Sequence, residues 1–347
     1  MGLYDIAHVI IDEHTEIIEK VIKLQRYHDS PEKNKITLSS EPQTITGKVN
    51  DAISILGNDG EKLKGSVLQQ AQEMAQAARR AGVKTMVAFN NIKTPAALLA
   101  KQIIARGDIG EPVRFRGTFD QGFYNDPNLP WSWRCSKTLG GSGALGDLGA
   151  HTLSVAQFLL GGIREVTASA QTCLRQRPVP QTDAGYASRV AADAEWREVE
   201  NDDQVQCLVN FDSGAAGVIE ASRIAAGRIF GVFWEVSGTE GTLYMDGERF
   251  NELQVYRFND DKHDRGFKTL YAGSQIPAYA GFFGFDFGGG GLGYFDVKVI
   301  EVHDLVQGIC GEGDCYPNFE FGLQNQRVLS AIEASMASRR WVNVVKD

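Results

Sequence analysis

The feature that most constrains this fold is a series of strand-like segments in the last two thirds of the chain. Apolar and polar residues alternate in several of them, which predicts strands with one buried face. Asp212-Ser213-Gly214 separates two of these segments and predicts a hairpin turn. The predicted strands are Val113–Phe119, Glu165–Leu174, Val205–Phe211, Gly217–Ser222, Phe233–Met245 and Leu253–Arg257. The pattern therefore favours a sheet-forming region after residue 110.

Composition narrows the class of protein. The chain has 347 residues, enough for two domains with separate cores, and its 43% hydrophobic and 23% charged residues are ordinary for globular proteins. A net charge of −9 argues against nucleic acid or an anionic membrane as a partner. No apolar run has the length of a membrane span, and no apolar signal core opens the chain. A cytoplasmic protein is expected.

The cysteines support the same expectation. Their number, five, is odd, and no secretion signal accompanies them, so reduced thiols are expected. No paired cysteines or histidines have the spacing of zinc ligands, and no metal site is predicted.

A run of small residues between Gly140 and His151 is the strongest functional signal. Asp147 and His151 lie four residues apart at a predicted helix start, so their side chains share one helical face. A carboxylate there can orient the imidazole and influence its proton affinity. A buried histidine beside a helix-capping aspartate is an equally good interpretation of the residues alone.

The run reads G-G-x-G-x-L-x-D-x-G-x-H and resembles a signature of the glucose–fructose oxidoreductase, inositol dehydrogenase and MocA-like family, the Gfo/Idh/MocA family. These enzymes are nicotinamide-dependent dehydrogenases of sugars and polyols. The similarity extends from about residue 61 to the C-terminus. Further segments that resemble the family are Ala81–Asn90, Ile104–Val113, Trp131–Arg134, Gly291–Tyr294 and Arg340–Val342.

The resemblance implies an α/β fold with two domains. Residues 1–110 would form an atypical or eroded N-terminal Rossmann-like domain. Residues 111–347 would form a C-terminal α+β domain for substrate binding and oligomerisation, with an open, mostly antiparallel sheet. One face of such a sheet needs a cover, and in the family a second subunit supplies it, so a homodimer or homotetramer is expected.

The first sixty residues depart from the family. Its members open with a strand, a G-x-G-x-x-G turn and a helix that hold the cofactor's pyrophosphate, and residues 1–60 lack this fingerprint. Apolar spacing instead predicts a helix from Tyr4 to Tyr27. Three short strands are predicted after it, at Lys35–Leu38, Gln43–Thr46 and Ala52–Leu56. Weak or undetectable NAD(P) binding is therefore expected, unless a partner subunit or another loop binds the pyrophosphate.

The resemblance also assigns site residues. It implies that His151 is the base, that Asp147 binds substrate hydroxyls, and that Lys62 donates to the reacting oxygen. Ser154 stands where the family usually has aspartate, so one contact differs. Residues matched to cofactor contacts, for NAD or NADP, are Glu61, Lys62, Asn90, Trp133, Arg134 and Tyr294.

Two functions follow from these observations. The first is an NAD(P)-dependent oxidoreductase that transfers hydride between a nicotinamide and a sugar or polyol hydroxyl. The alternative is a non-catalytic or cofactor-deficient homologue that retains the substrate-binding and oligomerisation domain. The intact Asp147/His151 pair favours the first, and the missing fingerprint favours the second.

Overall fold

A computed structural model describes residues 66–181, 189–283 and 290–346, together with the backbone of strands β1 (Ile22–Gln25) and β2 (Lys35–Leu38). These two strands pair antiparallel. Strand β2 confirms the predicted strand over the same residues.

The predicted helix Tyr4–Tyr27 is wrong over its last part, where β1 lies. Ile22-Lys23-Leu24-Gln25 alternates apolar and polar residues, so it satisfies the strand period as well as a helical one. Pairing with β2 supplies the hydrogen bonds that decide in favour of the strand. The rest of that helix and the predicted strands Gln43–Thr46 and Ala52–Leu56 lie outside the described residues.

Helices are bounded by local capping signals. Ser66 caps the first helix, α1, by accepting a hydrogen bond from the Gln69 amide, and Gly82 ends it in the left-handed conformation. Thr94 caps the second helix, which begins at Pro95. The α-helices are α1 (Val67–Ala81), α2 (Pro95–Ala105), α3 (Lys137–Gly140), α4 (Ala150–Leu160), α5 (Tyr294–Cys310) and α6 (Phe319–Ser338).

A nine-stranded sheet dominates the described structure, in the order β12-β11-β10-β9-β3-β8-β7-β4-β13. All neighbours run antiparallel except β3 and β8, which confirms the expected mostly antiparallel sheet. Its strands are β3 (Pro112–Asp120), β4 (Ile163–Gln171), β7 (Gln204–Phe211), β8 (Ala216–Ser222), β9 (Gly231–Gly238), β10 (Gly241–Asp246), β11 (Glu252–Arg257), β12 (Lys268–Tyr271) and β13 (Val342–Asn343). A separate antiparallel pair consists of β5 (Gln176–Pro178) and β6 (Trp196–Glu198).

The main core lies between this sheet and the helices. Helix α4 contacts β3 and β8, α6 contacts β4, and α2 contacts β10 and β11. Residues of α2 and of the turn before it belong to the same core as the sheet. Fully buried members from the strands and helices include Ala97, Phe115, Leu153, Phe211, Trp234, Leu243 and Ile332. None of the described helices is long and apolar enough to cross a membrane.

One further strand prediction changes in detail. The strand predicted over Phe233–Met245 is two strands, β9 and β10, joined by a turn at Thr239-Glu240. A side chain at Gly238 would collide with the Ile109 carbonyl, so this glycine permits the close approach at the turn. The segment Val83–Phe89 forms no strand ladder with any described residue, although the Val87 amide donates to the Pro317 carbonyl at 2.7 Å.

Candidate active site

The glycine run is held by one acidic residue, Asp202, which lies just before β7. Its Oδ1 accepts a hydrogen bond from the Gly143 amide and its Oδ2 one from the Leu145 amide, both at 2.8 Å. Its carbonyl accepts another from the Ala144 amide at 3.0 Å. A Cβ at Gly143 would collide with that carbonyl, so this position needs glycine. These contacts fix the loop that precedes Asp147.

Asp147 lies in a π-helical turn, Leu145–Gly149, and His151 is the second residue of α4. The backbone here forms the i→i+5 hydrogen bonds of a π-helix and not the i→i+4 bonds of the predicted regular helix start. Such π-helical turns are frequent at functional sites. Leu145 and Leu148 are buried and anchor the turn, while the Asp147 side chain is exposed. The turn thus directs the carboxylate away from the core.

Arg134 faces Asp147 across the site. Its Nε lies 3.5 Å from Asp147 Oδ2, and its guanidinium stacks over the Trp133 ring at 4.3 Å from the centroid. Both residues lie in a short 3₁₀ turn, Trp133–Cys135. The Arg134 carbonyl accepts hydrogen bonds from Asn201 and Arg223, which hold this turn in place.

The His151 ring contacts the rings of Phe89 and Phe119, with centroid distances of 5.9 and 6.0 Å and edge-on geometry. Its buried Nδ1 has no hydrogen-bond partner among the described residues. Burial lowers the pKa of His151 to about 4; the positive charge of Lys298 adds to this effect and the negative charge of Asp147 opposes it. The imidazole is therefore neutral near pH 7 and able to accept a proton.

Asn90 opens a 3₁₀ turn directly after Phe89. Its side chain is 1% exposed, yet neither Nδ2 nor Oδ1 has a hydrogen-bond partner among the described residues. An unpaired buried amide is costly, so this environment suits a ligand that both donates and accepts hydrogen bonds.

Tyr294 is the first residue of α5 and packs against Phe230, with ring centroids 4.7 Å apart. Phe230 in turn contacts Phe119, at 5.3 Å, so an aromatic chain joins Tyr294 to the His151 pocket. Ser154 is fully buried, and its hydroxyl donates to the His151 carbonyl at 2.7 Å. It supports the backbone of α4.

The structure thus brings Arg134 next to Asp147 and joins Tyr294 to the His151 pocket. Glu61 and Lys62 lie outside the described residues, so their assigned roles stay predictions. Sequence reasoning missed Asp202, the aromatic residues around His151, and Lys298. Asp202 had a visible signal, since the run Asn201-Asp202-Asp203 before a strand contains residues that bind backbone amides.

Comparisons with known proteins identify the family of this chain. A model of the GFO/IDH/MocA C-terminal domain matches residues 97–244. Levoglucosan dehydrogenase of Pseudarthrobacter phenanthrenivorans is 37% identical over 277 residues, which cover 80% of this chain and 70% of that protein. The chain belongs to the Gfo/Idh/MocA family.

Solved structures of the family extend the comparison. A crystal structure of an NAD binding oxidoreductase from Klebsiella pneumoniae shares 95% identity over 81% of this chain and 71% of its own, with a TM-score of 0.75. Levoglucosan dehydrogenase in complex with NADH and levoglucosan has 36% identity and a TM-score of 0.73, over 80% of this chain and 71% of its own. Proteins similar to this chain thus include an NAD binding oxidoreductase and a levoglucosan dehydrogenase that binds NADH and levoglucosan.

Proposed function

We propose that this chain is a nicotinamide-dependent dehydrogenase that oxidises a secondary hydroxyl of a cyclic sugar or polyol. The observation that carries the proposal is the neutral His151 ring in an aromatic pocket, one helical turn from Asp147 and its partner Arg134. A base held within reach of a substrate hydroxyl is what removal of its proton requires.

The described residues fit a nicotinamide. Asn90 offers a buried amide with an unused donor and an unused acceptor, which matches a carboxamide in hydrogen-bonding capacity. Trp133, Arg134 and Tyr294 would complete its surroundings, and Glu61 and Lys62 would add contacts from the preceding segment. When bound, the cofactor supplies the hydride acceptor, NAD or NADP.

The protein's residues would handle the proton and the substrate. His151 would accept the hydroxyl proton, and Asp147 would accept hydrogen bonds from neighbouring hydroxyls. Lys62 would donate to the reacting oxygen and stabilise its developing negative charge. The Phe89 and Phe119 rings, which contact the imidazole, would limit the access of water to it. Release of the proton from His151 to solvent would complete the cycle.

The relatives indicate the substrate class. Similar proteins include levoglucosan dehydrogenase, a scyllo-inositol 2-dehydrogenase and D-apiose dehydrogenases, all named for polyhydroxylated substrates. We also propose a cytoplasmic location, which is supported by the five cysteines, all of them free thiols.

One observation favours a second candidate, a homologue that binds substrate but holds nucleotide poorly. Residues 1–60 carry no G-x-G-x-x-G turn, so no recognised loop is assigned to the pyrophosphate. Each charge-assisted hydrogen bond missing there would cost about 1.5–3 kcal/mol, and several together would weaken binding by orders of magnitude.

Nucleotide titration separates the two candidates. The purified chain is titrated with NADH and with NADPH, and nucleotide fluorescence is followed with and without levoglucosan. We expect binding weaker than micromolar, together with slow levoglucosan-dependent reduction of NAD or NADP at high nucleotide concentration. Micromolar nucleotide affinity would contradict the expected weakness. Sugar binding without any reduction of nucleotide would favour the second candidate. The dehydrogenase would be contradicted if levoglucosan, D-xylose and D-apiose all failed both to bind and to reduce the nucleotide.

A further inference from the structure

Residues 200–203, directly before β7, form hydrogen bonds to both sides of the candidate site. One side is the Trp133–Cys135 turn, which carries Arg134, and the other is the glycine run, which leads to Asp147. We call residues 200–203 the support segment. The segment lies where it can hold the two sides of the site relative to each other.

Asn201 binds the side that carries Arg134. It is fully buried, and its Nδ2 donates to the Arg134 carbonyl at 3.0 Å and to the Ser136 carbonyl at 3.1 Å. The amide of the preceding residue, Glu200, donates to the Cys135 carbonyl at 2.8 Å. Three successive carbonyls of the turn are thus bound by two adjacent residues of the support segment.

The next residue, Asp202, binds the other side. Its two carboxylate oxygens accept hydrogen bonds from the Gly143 and Leu145 amides, both at 2.8 Å. Gly140, at the start of the glycine run, lies close to the Asn201 side chain, because a Cβ at this glycine would be 3.3 Å from the Asn201 Nδ2. The glycine run therefore follows the support segment along several residues.

Asp203 fixes the support segment within the fold. It is fully buried, and its Oδ1 accepts a hydrogen bond from Arg223 Nε at 2.9 Å. Its Oδ2 accepts hydrogen bonds from the Cys173 and Leu174 amides at 2.7 and 2.8 Å. Arg223 in turn donates through Nη1 to the Arg134 carbonyl at 3.3 Å. This buried ion pair gives the support segment a second connection to the Trp133–Cys135 turn.

The direct contact between the two sides is weak by comparison. Arg134 Nε lies 3.5 Å from Asp147 Oδ2, and the two side chains are 28% and 42% exposed. An ion pair exposed in this way contributes little to stability, whereas a buried polar group that loses its hydrogen-bond partner is costly. The spacing of the two charged groups is consequently set by the support segment beneath them.

We propose that Asn201 and Asp202 are positioning residues, which together set the spacing of Arg134 and Asp147 through the support segment. Under the proposed function, Arg134 contacts the nicotinamide cofactor and Asp147 binds substrate hydroxyls, so the segment would align the two ligands. A displacement of about 1 Å at such a site is enough to slow a reaction by roughly 10²-fold. The inference rests on the proposed function for its effect on turnover, but not for the spacing itself.

A ¹⁹F NMR signal from Trp133 tests the spacing without nucleotide or sugar. The Arg134 guanidinium stacks over this ring at 4.3 Å from the centroid, so the signal reports on the position of Arg134. The chain is labelled with 5-fluorotryptophan, and the signal is assigned by its loss in Trp133→Phe. Asn201→Ala should change the chemical shift, because the turn loses two hydrogen bonds.

Asp202→Asn extends the test across the site. The new NH₂ group would face a backbone N–H of the glycine run, so the run should move and the Trp133 signal on the other side should shift. Asp212→Asn is the matched control, since it removes an exposed carboxylate just beyond the other end of β7. Asn259→Ala removes an exposed asparagine and is the control for Asn201→Ala. Both controls should leave the Trp133 signal unchanged.

Two results would overturn the proposal. An unchanged Trp133 signal in Asp202→Asn would show that the two sides are held independently. An unchanged signal in Asn201→Ala would show that the asparagine does not set the position of the turn. If Asn201→Ala does not fold, Asp202→Asn decides alone, because its substitution lies on a partly exposed side chain.

Kinetics separate a positioning role from a purely structural one. Where turnover is measurable, kcat/KM should fall by roughly 10–100-fold in both variants, with KM raised for nucleotide in Asn201→Ala and for levoglucosan in Asp202→Asn. A lower kcat with unchanged KM values would indicate only a loss of folded protein, and would overturn the positioning role. An unsubstituted chain without turnover would contradict the proposed function, while the NMR result would still decide the spacing.

Discussion

The chemistry of His151 depends on neighbours that are distant in the sequence. The rings of Phe89 and Phe119 contact the imidazole, and the positive charge of Lys298 acts to lower its pKa. Of the residues that act on this ring, only Asp147 is close to His151 in the sequence. The four-residue spacing predicted the association with Asp147. It carried no information on whether the imidazole is neutral or charged, because burial is the largest cause of the lowered pKa.

Removal of the His151 ring should affect turnover more than folding. If the chain is active, His151→Ala should lower kcat by roughly 10²–10⁴-fold, the usual contribution of a positioned acid–base group. Steady-state kinetics measure this, with circular dichroism to verify the fold. The matched control is His263→Ala, which replaces an exposed histidine. Normal turnover of His151→Ala would remove His151 from the mechanism.

The same variant should change the acid dependence of stability. The unfolded chain protonates His151 below its ordinary pKa of 6.5, whereas the folded chain does so only near 4. Stability is therefore lost as pH falls between these values, by about 3 kcal/mol for this group. Urea denaturation from pH 7 to pH 4 should show a smaller loss for His151→Ala than for the unsubstituted chain. Equal losses in both would show that His151 does not titrate between these limits.

At the scale of elements, a loop and a helix have to be held at defined positions. The glycine run is bound to Asp202, and the π-helical turn that follows sets the direction of Asp147. The sequence pattern did not predict helix α5, because a glycine-rich run precedes it and the buried Glu301 interrupts its apolar stripe. Its cap is local, however: the Gly293 amide donates to Asp296 Oδ2 at 2.7 Å.

Steric crowding makes Gly143 the sensitive position of the loop. Gly143→Ala should destabilise the chain by about 1–3 kcal/mol, because the new methyl group would meet the Asp202 backbone, which cannot rotate away. Chemical denaturation measures the change. Gly281→Ala is the control, since a methyl group there meets nothing within 4 Å. A Gly143→Ala variant as stable as the control would show that the loop can move away from β7 freely.

At the scale of the whole molecule, the sheet has two unequal faces. On β7, Val205, Cys207 and Val209 are buried, while Gln206 and Leu208 between them are exposed. Nine strands at about 4.8 Å spacing give a surface roughly 40 Å wide. A stable dimer needs about 800 Å² from each partner, which such a face can supply.

We therefore expect a homodimer or homotetramer formed through this outer face. Size-exclusion chromatography with light scattering at micromolar concentration should give at least twice the mass of one chain. Leu208→Lys should weaken the assembly, because it places a charge among the buried contacts. Val299→Lys, on an exposed position of α5, should leave it intact. A stable monomer of the unsubstituted chain would contradict this arrangement.

Much of the fold was readable from local patterns. The bounds of helix α1, Val67 and Ala81, follow from local signals, since Ser66 caps its start and Gly82 its end. Strands β7 and β8 and the hairpin between them were found within one residue of their ends, since alternation and the Asp212-Ser213-Gly214 turn define them. The division into domains at residue 110 stays a prediction.

The sequence by itself therefore determined the strand series, the spacing of Asp147 and His151 and the family signature, because each depends on spacing along the chain. Only the tertiary structure decided the strand order, the parallel pairing of β3 with β8, and the contacts that set the state of His151. The physical reason is that burial and charge act through space. Phe89 and Lys298 are separated from His151 by tens to hundreds of residues, and no periodicity along the chain encodes that proximity.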